Sequence, residues 1–273
     1  MKRKLLYLFR WDLLFFKIKE KIRVYKKVKL DISYWKMIKD VHKGKPGFVV
    51  GNGPSLKMDD LSKIHELGFV SIASNKIYYA FKETKWRPNY FTISDILVWN
   101  EIKNKIHKEI DTVHVPSFLD YKDCNVIVKT WKNLSNGFRG GKQQISNDLS
   151  KGASAGFTVT YENIQFAMHL GLNPIYLIGC DHYYQGENEE EYKSDELVKH
   201  KGKKTHFISN YRNIGDINGH APISKMTKSY EIANLYSESK GVKIFNSTRG
   251  GHLEAFDRFD LDDIFTKIIK KNK

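Results

Sequence analysis

An α/β fold, a mostly parallel sheet with helices on both faces, is predicted by three features of this 273-residue sequence. Short apolar runs alternate with amphipathic helical stretches from about residue 45 onward, the pattern of strands joined by crossover helices. One run, Ile175-Tyr176-Leu177-Ile178, is apolar throughout and lies between Pro174 and Gly179, as expected of a strand covered on both faces. Several runs also end in polar or glycine-rich segments, and in open parallel sheets ligands lie outside the carboxyl ends of the strands.

Residues 1–44 read as a separate basic, amphipathic helical segment. Residues 1–30 hold eleven Lys/Arg and two acids, a net +9 out of +15 for the chain. They also carry Leu5, Leu8, Phe9, Trp11, Leu14, Phe15 and Phe16. Arg10 and Asp12 interrupt any signal-peptide core, and the run falls short of the ~20 apolar residues of a membrane span. Lysines beside aromatic residues suit an anionic membrane surface. A helix packed on the domain, or on a second copy in an oligomer, is the alternative. No nucleic-acid motif accompanies the charge, so nucleic acid is not an expected partner. Cys124 and Cys180 lie far apart with no zinc or disulfide spacing. The expected location is therefore the cytoplasm, peripheral at the inner face of the membrane.

Residues 45–273 form the expected catalytic domain. Phe48-Val49-Val50 is a short strand that runs into Gly51-Asn52-Gly53-Pro54-Ser55-Leu56, with a helix over Asp59–Leu67. Strands follow at Phe69–Ala73 and Tyr90–Ile93, with weaker ones at Thr112–Val115 and Val126–Val128. Residues 133–155 are rich in Gly, Ser and Asn and read as a long loop of the functional kind. Thr158–Leu170 is helical and stops at Gly171. Residues 186–205 are charged and unpatterned, which predicts a mobile surface segment. Lys225–Lys240 is a helix between Ser224 and Gly241, Val242–Phe245 a last strand, and Ile264–Lys273 a short basic helix.

Five strand ends are polar: Gly51–Ser55, Ser74-Asn75, Ser94-Asp95, Gly179–Tyr184 and Asn246–Gly251. Converging on one sheet edge, they would build a site. Gly51 and Gly53 would let backbone amides approach a phosphate or ribose, Asn52 offers a donor and an acceptor, and Ser55 reaches the ligand or caps the next helix. The loop lacks the Gly-Lys-Ser/Thr of a P-loop and the dinucleotide GxGxxG. Asp95 and Asp181 can be read either as Mg ligands on a diphosphate or, for Asp181, as an acceptor that shapes the loop. Arg249 is a candidate phosphate or carboxylate partner. The alternative for Asn246–Gly251 is a plain turn.

Val49 to Leu56 resembles the opening loop of the bacterial lipooligosaccharide sialyltransferases, which use CMP-sialic acid, and of the related MptE-like family. That family is named after a pterin diphosphokinase and is common in bacterial surface-polysaccharide gene sets. Asn75 at the second strand end, Gly179-Cys180-Asp181, His206-Phe207, Tyr211 and Asn246–Phe256 extend the similarity over roughly residues 45–260, the later segments being similar to the bacterial MptE-like branch. The resemblance implies a Rossmann-type, variant GT-A-like sheet and a glycosyltransferase. Its donor would be a nucleotide sugar, CMP-sialic acid or a similar CMP-linked acidic sugar, and its acceptor a cell-surface or lipid-linked glycan.

It further implies nucleotide contacts at Gly51, Asn52, Gly53, Ser55, Asn75, Asp95, Thr158 and Asp181. Tyr183 and Tyr184 would assist the departing phosphate. The general base would be His220, in a Gly-His pair before a helix, with His206 as its competitor. Thr158-Val159-Thr160 departs from the Thr-Ser-Gly run of the sialyltransferases. No cofactor would be required. A Mg-dependent hydroxymethylpterin diphosphokinase, with metal at Asp95 and Asp181, is one alternative, and a non-catalytic nucleotide-sugar-binding protein is another.

Overall fold

The computed structural model describes residues 31–119, 124–134, 143–183, 191–194, 197–199, 206–211, 217–219 and 223–271. Seven strands form one wholly parallel sheet: β1 (Gly47–Val50), β2 (Val70–Ser74), β3 (Tyr90–Thr92), β4 (Thr112–Pro116), β5 (Ile127–Trp131), β6 (Ile175–Ile178) and β10 (Ile244–Asn246). Their order across the sheet is β10-β6-β1-β2-β3-β4-β5. The chain starts at β1, builds outward to β5, then returns to the other side of β1 as β6. The strand order thus reverses between β1 and β6, where crevices form in such sheets.

Each face of the sheet carries its own core. Phe48, Val50, Ala73, Phe91, Val113 and Ile178 point to one face and pack with Leu61 and Ile64 of α2 (Met58–Glu66), with Trp99 and Ile102 of α3 (Ile96–Ile102), and with Ile264 and Phe265 of α6 (Leu261–Lys271). Val49, Ile72, Ile175, Leu177 and Ile244 point to the other. There they meet Ile164, Ala167 and Met168 of α4 (Val159–His169), Met226, Tyr230 and Ala233 of α5 (Ile223–Ser239), and Trp35 and Ile38 of the helix at residues 31–38, α1. Alternation along β1 (Phe48 and Val50 against Val49) is the pleat of a strand buried on both sides.

The weaker strand candidates both form. β4 and β5 pair in register over five residues, from Thr112↔Ile127 to Pro116↔Trp131. The open edge of β5 is covered by α1. Asp31 accepts from Thr130 N at 2.8 Å and from its hydroxyl at 2.6 Å, while Trp35 Nε1 donates to Thr130 O at 2.7 Å. That use of α1 blunts an edge strand that would otherwise present unpaired groups.

Three elements differ from what the sequence predicts. Within the charged stretch read as unstructured, β7 (Glu191–Ser194) and β8 (Leu197–Lys199) pair antiparallel, and β9 (Ile217–Gly219) joins them. Backbone pairing at distance, rather than side-chain pattern, makes that small sheet. Ser224 lies inside α5 instead of capping it. The 3₁₀ turns at Asn75–Lys82 and the helix α3 had no sequence counterpart, being too short for a periodic signal.

Candidate functional site

The five polar strand ends belong to β10, β6, β1, β2 and β3, which are neighbours in the sheet. Parallel pairing places all five on one edge. Among the described residues, three of the four non-glycine residues with left-handed backbones lie there too: Asn75 (φ 58°), Phe157 (φ 63°) and His182 (φ 54°). Such conformations cost of order 1–3 kcal/mol and cluster at functional sites.

The glycine loop folds over the end of β6. Gly51 N donates to Ile178 O and Gly53 N to Gly179 O, both at 2.8 Å. A Cβ on Gly51 would lie 2.3 Å from Gly179 O, and one on Gly53 would lie 1.8 Å from the Asp181 carboxylate. Close approach to β6 is therefore what requires glycine here. The N–H groups of these two glycines are themselves used within the chain.

Asp181 performs the loop-shaping duty. Ser55 N donates to its carboxylate at 3.2 Å and Ser55 Oγ at 2.8 Å. Burial pushes the Asp181 carboxyl above its ordinary value, and the two Ser55 bonds oppose that rise. Ser55 and Asp181 thus hold one another. Asp95 caps α3, its Oδ1 accepting from Leu97 N at 2.7 Å and Val98 N at 3.4 Å. Thr158 caps α4 through Thr160 N at 3.3 Å, with Tyr230 OH 3.5 Å from its hydroxyl.

What the loop leaves open are side-chain oxygens. Asn52 Nδ2 donates to Ser74 O at 3.1 Å, which turns Oδ1 the other way. Asn52 Oδ1 and Asn75 Oδ1 are both buried with no hydrogen-bond partner among the described residues. Buried acceptors left unsatisfied are costly, typically about 1–3 kcal/mol each. Ser247 Oγ and His182 Nδ1 share that condition.

His206 arrives from a distant segment. Phe207 N donates to Asn52 O at 3.1 Å, fastening this segment to the glycine loop. The His206 ring stacks on Tyr211 at 3.8 Å with planes 4° apart. Tyr211 O in turn accepts from the buried Lys76 ammonium at 3.1 Å, and Glu101 pairs with that ammonium at 2.7 Å. Tyr183 is half-exposed, its ring 5.1 Å from that of His252. Tyr184 and His220 lie outside the described residues.

Asn246–Gly251 is a turn packed against β6. Cys180 N donates to Thr248 Oγ1 at 3.1 Å, His252 N to Asp181 O at 2.7 Å, and a Cβ on Gly251 would meet Asp181 at 2.8 Å. Arg249 pairs with carboxylates of its own chain, bidentate to the buried Asp60 at 2.9 Å and to Asp262 at 2.8 Å. It joins α2 to α6.

One residue escaped the sequence reading. Glu162, in the first turn of α4, is buried and accepts from Ser94 Oγ at the end of β3. Beside it Thr92 Oγ1 donates to Asn163 Oδ1 at 2.6 Å, and Asn163 Nδ2 is buried without a partner among the described residues. Burial pushes the Glu162 carboxyl up to about 8, the Ser94 bond opposing it, so it is an acid near neutrality. Its only sequence signal is the single carboxylate in the helix Val159–His169.

The fold and this edge define an open, parallel α/β domain with a polar site at the switch point of its strand order. The chain belongs to the MptE-like family, described as 6-hydroxymethylpterin diphosphokinase MptE-like, which it matches over residues 23–187. No curated protein matches it. Among solved structures it is similar in fold to the MAf glycosyltransferase from Magnetospirillum magneticum AMB-1, at 17% identity and a TM-score of 0.50. The similarity covers 85% of this chain and 38% of that one, so the chain spans well under half of that protein's length.

Proposed function

We propose that this chain is a glycosyltransferase. It would bind a nucleotide sugar at the β1–β6 crevice, a CMP-linked acidic sugar such as CMP-sialic acid, and pass the sugar to a cell-surface or lipid-linked glycan. The observation that carries the reading is the pair of buried, unpartnered amide oxygens of Asn52 and Asn75 at adjacent strand ends. Two unmet acceptors at neighbouring strand ends suit ligand donors, such as ribose hydroxyls or the exocyclic amine of cytosine. They do not suit a phosphate, which brings only acceptors.

Other features agree with an acidic donor. The chain carries +15, which attracts anions, and an uncharged Glu162 adds no repulsion at neutral pH. Tyr183 is exposed enough to reach a departing phosphate. His220 remains the base implied by the resemblance, with His206, beside the Phe207 that is fastened to the glycine loop, as its competitor. Residues 1–30 would hold the enzyme on an anionic membrane. Asp31, the first described residue after them, is tied to Thr130 near the carboxyl end of β5. Among the described residues no helix is long and apolar enough to cross a membrane.

The family description favours a second reading, diphosphoryl transfer with Mg. The residues expected to hold that metal do not fit it. Asp95 and Asp181 follow β3 and β6, three strand spacings apart, or about 14 Å, whereas Mg ligands sit at roughly 2.1 Å. Each also has a structural task within the chain.

A thermal-shift panel of CMP, CMP-sialic acid, UDP, GDP and ATP, with and without Mg²⁺, tests both readings. A ligand at a hundredfold over its Kd stabilises the folded state by about 2.7 kcal/mol. Stabilisation by CMP compounds without metal, lost in Asn52→Ala, supports glycosyl transfer. Stabilisation by ATP only with Mg²⁺ replaces it with the diphosphokinase.

A further inference from the structure

His182 has features that neither the glycine loop nor the expected base accounts for. It follows Asp181 at the end of β6 and is held at φ 54°, a conformation that neither strand nor helix continues. Its ring lies where three elements meet. The Tyr230 ring of α5 stands edge-on at 5.6 Å, and Tyr230 OH reaches the Thr158 cap of α4. Thr227 of α5 has its Oγ1 2.7 Å from His182 Nε2.

The hydrogen-bond directions follow from proton counting. A threonine hydroxyl has one proton, and Thr227 gives it to Ile223 O at 2.9 Å. Thr227 Oγ1 can then only accept from the ring, so Nε2 carries the hydrogen. A neutral imidazole bonded in this way leaves Nδ1 as a bare lone pair. That atom is buried and has no partner among the described residues. Burial, with His252 nearby, lowers the ring's proton affinity below the ordinary histidine value and keeps it neutral. Thr227 thus acts on His182 as the third group of a catalytic triad acts on its histidine: it fixes the tautomer and aims the other nitrogen.

We infer that His182 Nδ1 is the general base of this site, with Thr227 as its positioning residue. The inference rests on glycosyl transfer as the reaction. The acceptor O–H bond breaks and its proton goes to Nδ1. The acceptor oxygen bonds to the anomeric carbon, whose bond to the phosphate oxygen breaks, and the electron pair leaves with the nucleotide. The imidazolium then returns its proton to water.

Two measurements on the full chain test this. In protein labelled with ¹⁵N-histidine, long-range correlation reports which ring nitrogen is protonated. One imidazole, identified by its disappearance in His182→Asn, is expected in the Nε2–H form at neutral pH. Asparagine is the chosen replacement because it tolerates left-handed backbone. An Nδ1–H or doubly protonated ring overturns the assignment.

The second measurement is nucleotide release to water, the simplest hydroxyl acceptor, from whichever of CMP-, UDP- or GDP-linked sugars stabilises the wild type. His182→Asn should lower release by about 100-fold or more while keeping the thermal shift caused by the nucleotide sugar. Thr227→Val should lower kcat by about 10-fold at unchanged KM, since misaiming a base costs rate rather than binding, and Thr227→Ser should restore it. Full activity in His182→Asn, with the loss found in a His206 or His220 variant instead, overturns the inference and leaves glycosyl transfer standing. If no nucleotide sugar stabilises the wild type, glycosyl transfer fails and this base fails with it.

Discussion

Glu162→Gln should make the protein more stable, by an amount that depends on pH. Glu162 is 5% exposed and its carboxyl is pushed up to about 8, against roughly 4.3 in an unfolded chain. Its place in the first turn of α4 favours the ionised form through the helix dipole, but only by about 0.3–1 kcal/mol. Desolvation outweighs that. Between the two pKa values the folded protein holds a proton that the unfolded chain has released. Stability therefore falls as pH rises through this window, by about 1.4 kcal/mol per unit for this one group. Glutamine keeps an acceptor oxygen for Ser94 Oγ and cannot ionise. The variant and wild type should differ little near pH 5, and the variant should gain by about 1.4 kcal/mol per unit toward pH 8. Urea unfolding at several pH values reads this as diverging midpoints at constant m. Other titrating groups cancel in the difference. A gap that stays constant with pH would refute the argument, because Glu162 would then be ionising at ordinary pH in the folded state.

The acid side is governed by buried histidines: burial lowers His114 to about 4 and lowers His169 as well. Their unfolded forms take up protons below about 6.5, so the histidines' own contribution to stability is complete above that value and declines as pH falls toward 4; His114→Gln should flatten that decline by up to about 1.4 kcal/mol per unit. Arg249→Ala should cost about 3 kcal/mol in urea unfolding because it strands the buried Asp60, whereas Asp262→Asn, on the exposed side of the same clamp, should cost under about 1 kcal/mol; equal costs would mean that burial is not the deciding factor. Gly53→Ala should abolish the thermal shift produced by nucleotide and destabilise the fold by about 1–3 kcal/mol, since its Cβ would lie 1.8 Å from Asp181. An unaltered melting temperature and ligand shift would show that the loop does not pack on β6.

The class of fold is legible from local patterning alone. Apolar runs such as Phe48–Val50 and Ile175–Ile178 are local signals, because a strand buried on both faces must be apolar along its length. Gly51, Gly53 and the polar ends after five strands were legible for the same reason. What those ends do depends on the packing of distant segments. The Gly51 and Gly53 amides are spent on Ile178 and Gly179, more than a hundred residues away, and no local pattern announces such a bond. Arg249 had the chemistry of a phosphate partner until the fold brought Asp60 and Asp262 beside it. Glu162 and His182 looked ordinary because burial, tautomer and an unsatisfied lone pair belong to packed neighbours rather than to residue types. Local chemistry sets which groups stand at a strand end, and the packing of distant segments sets which of them are left with an unmet hydrogen bond to offer a substrate.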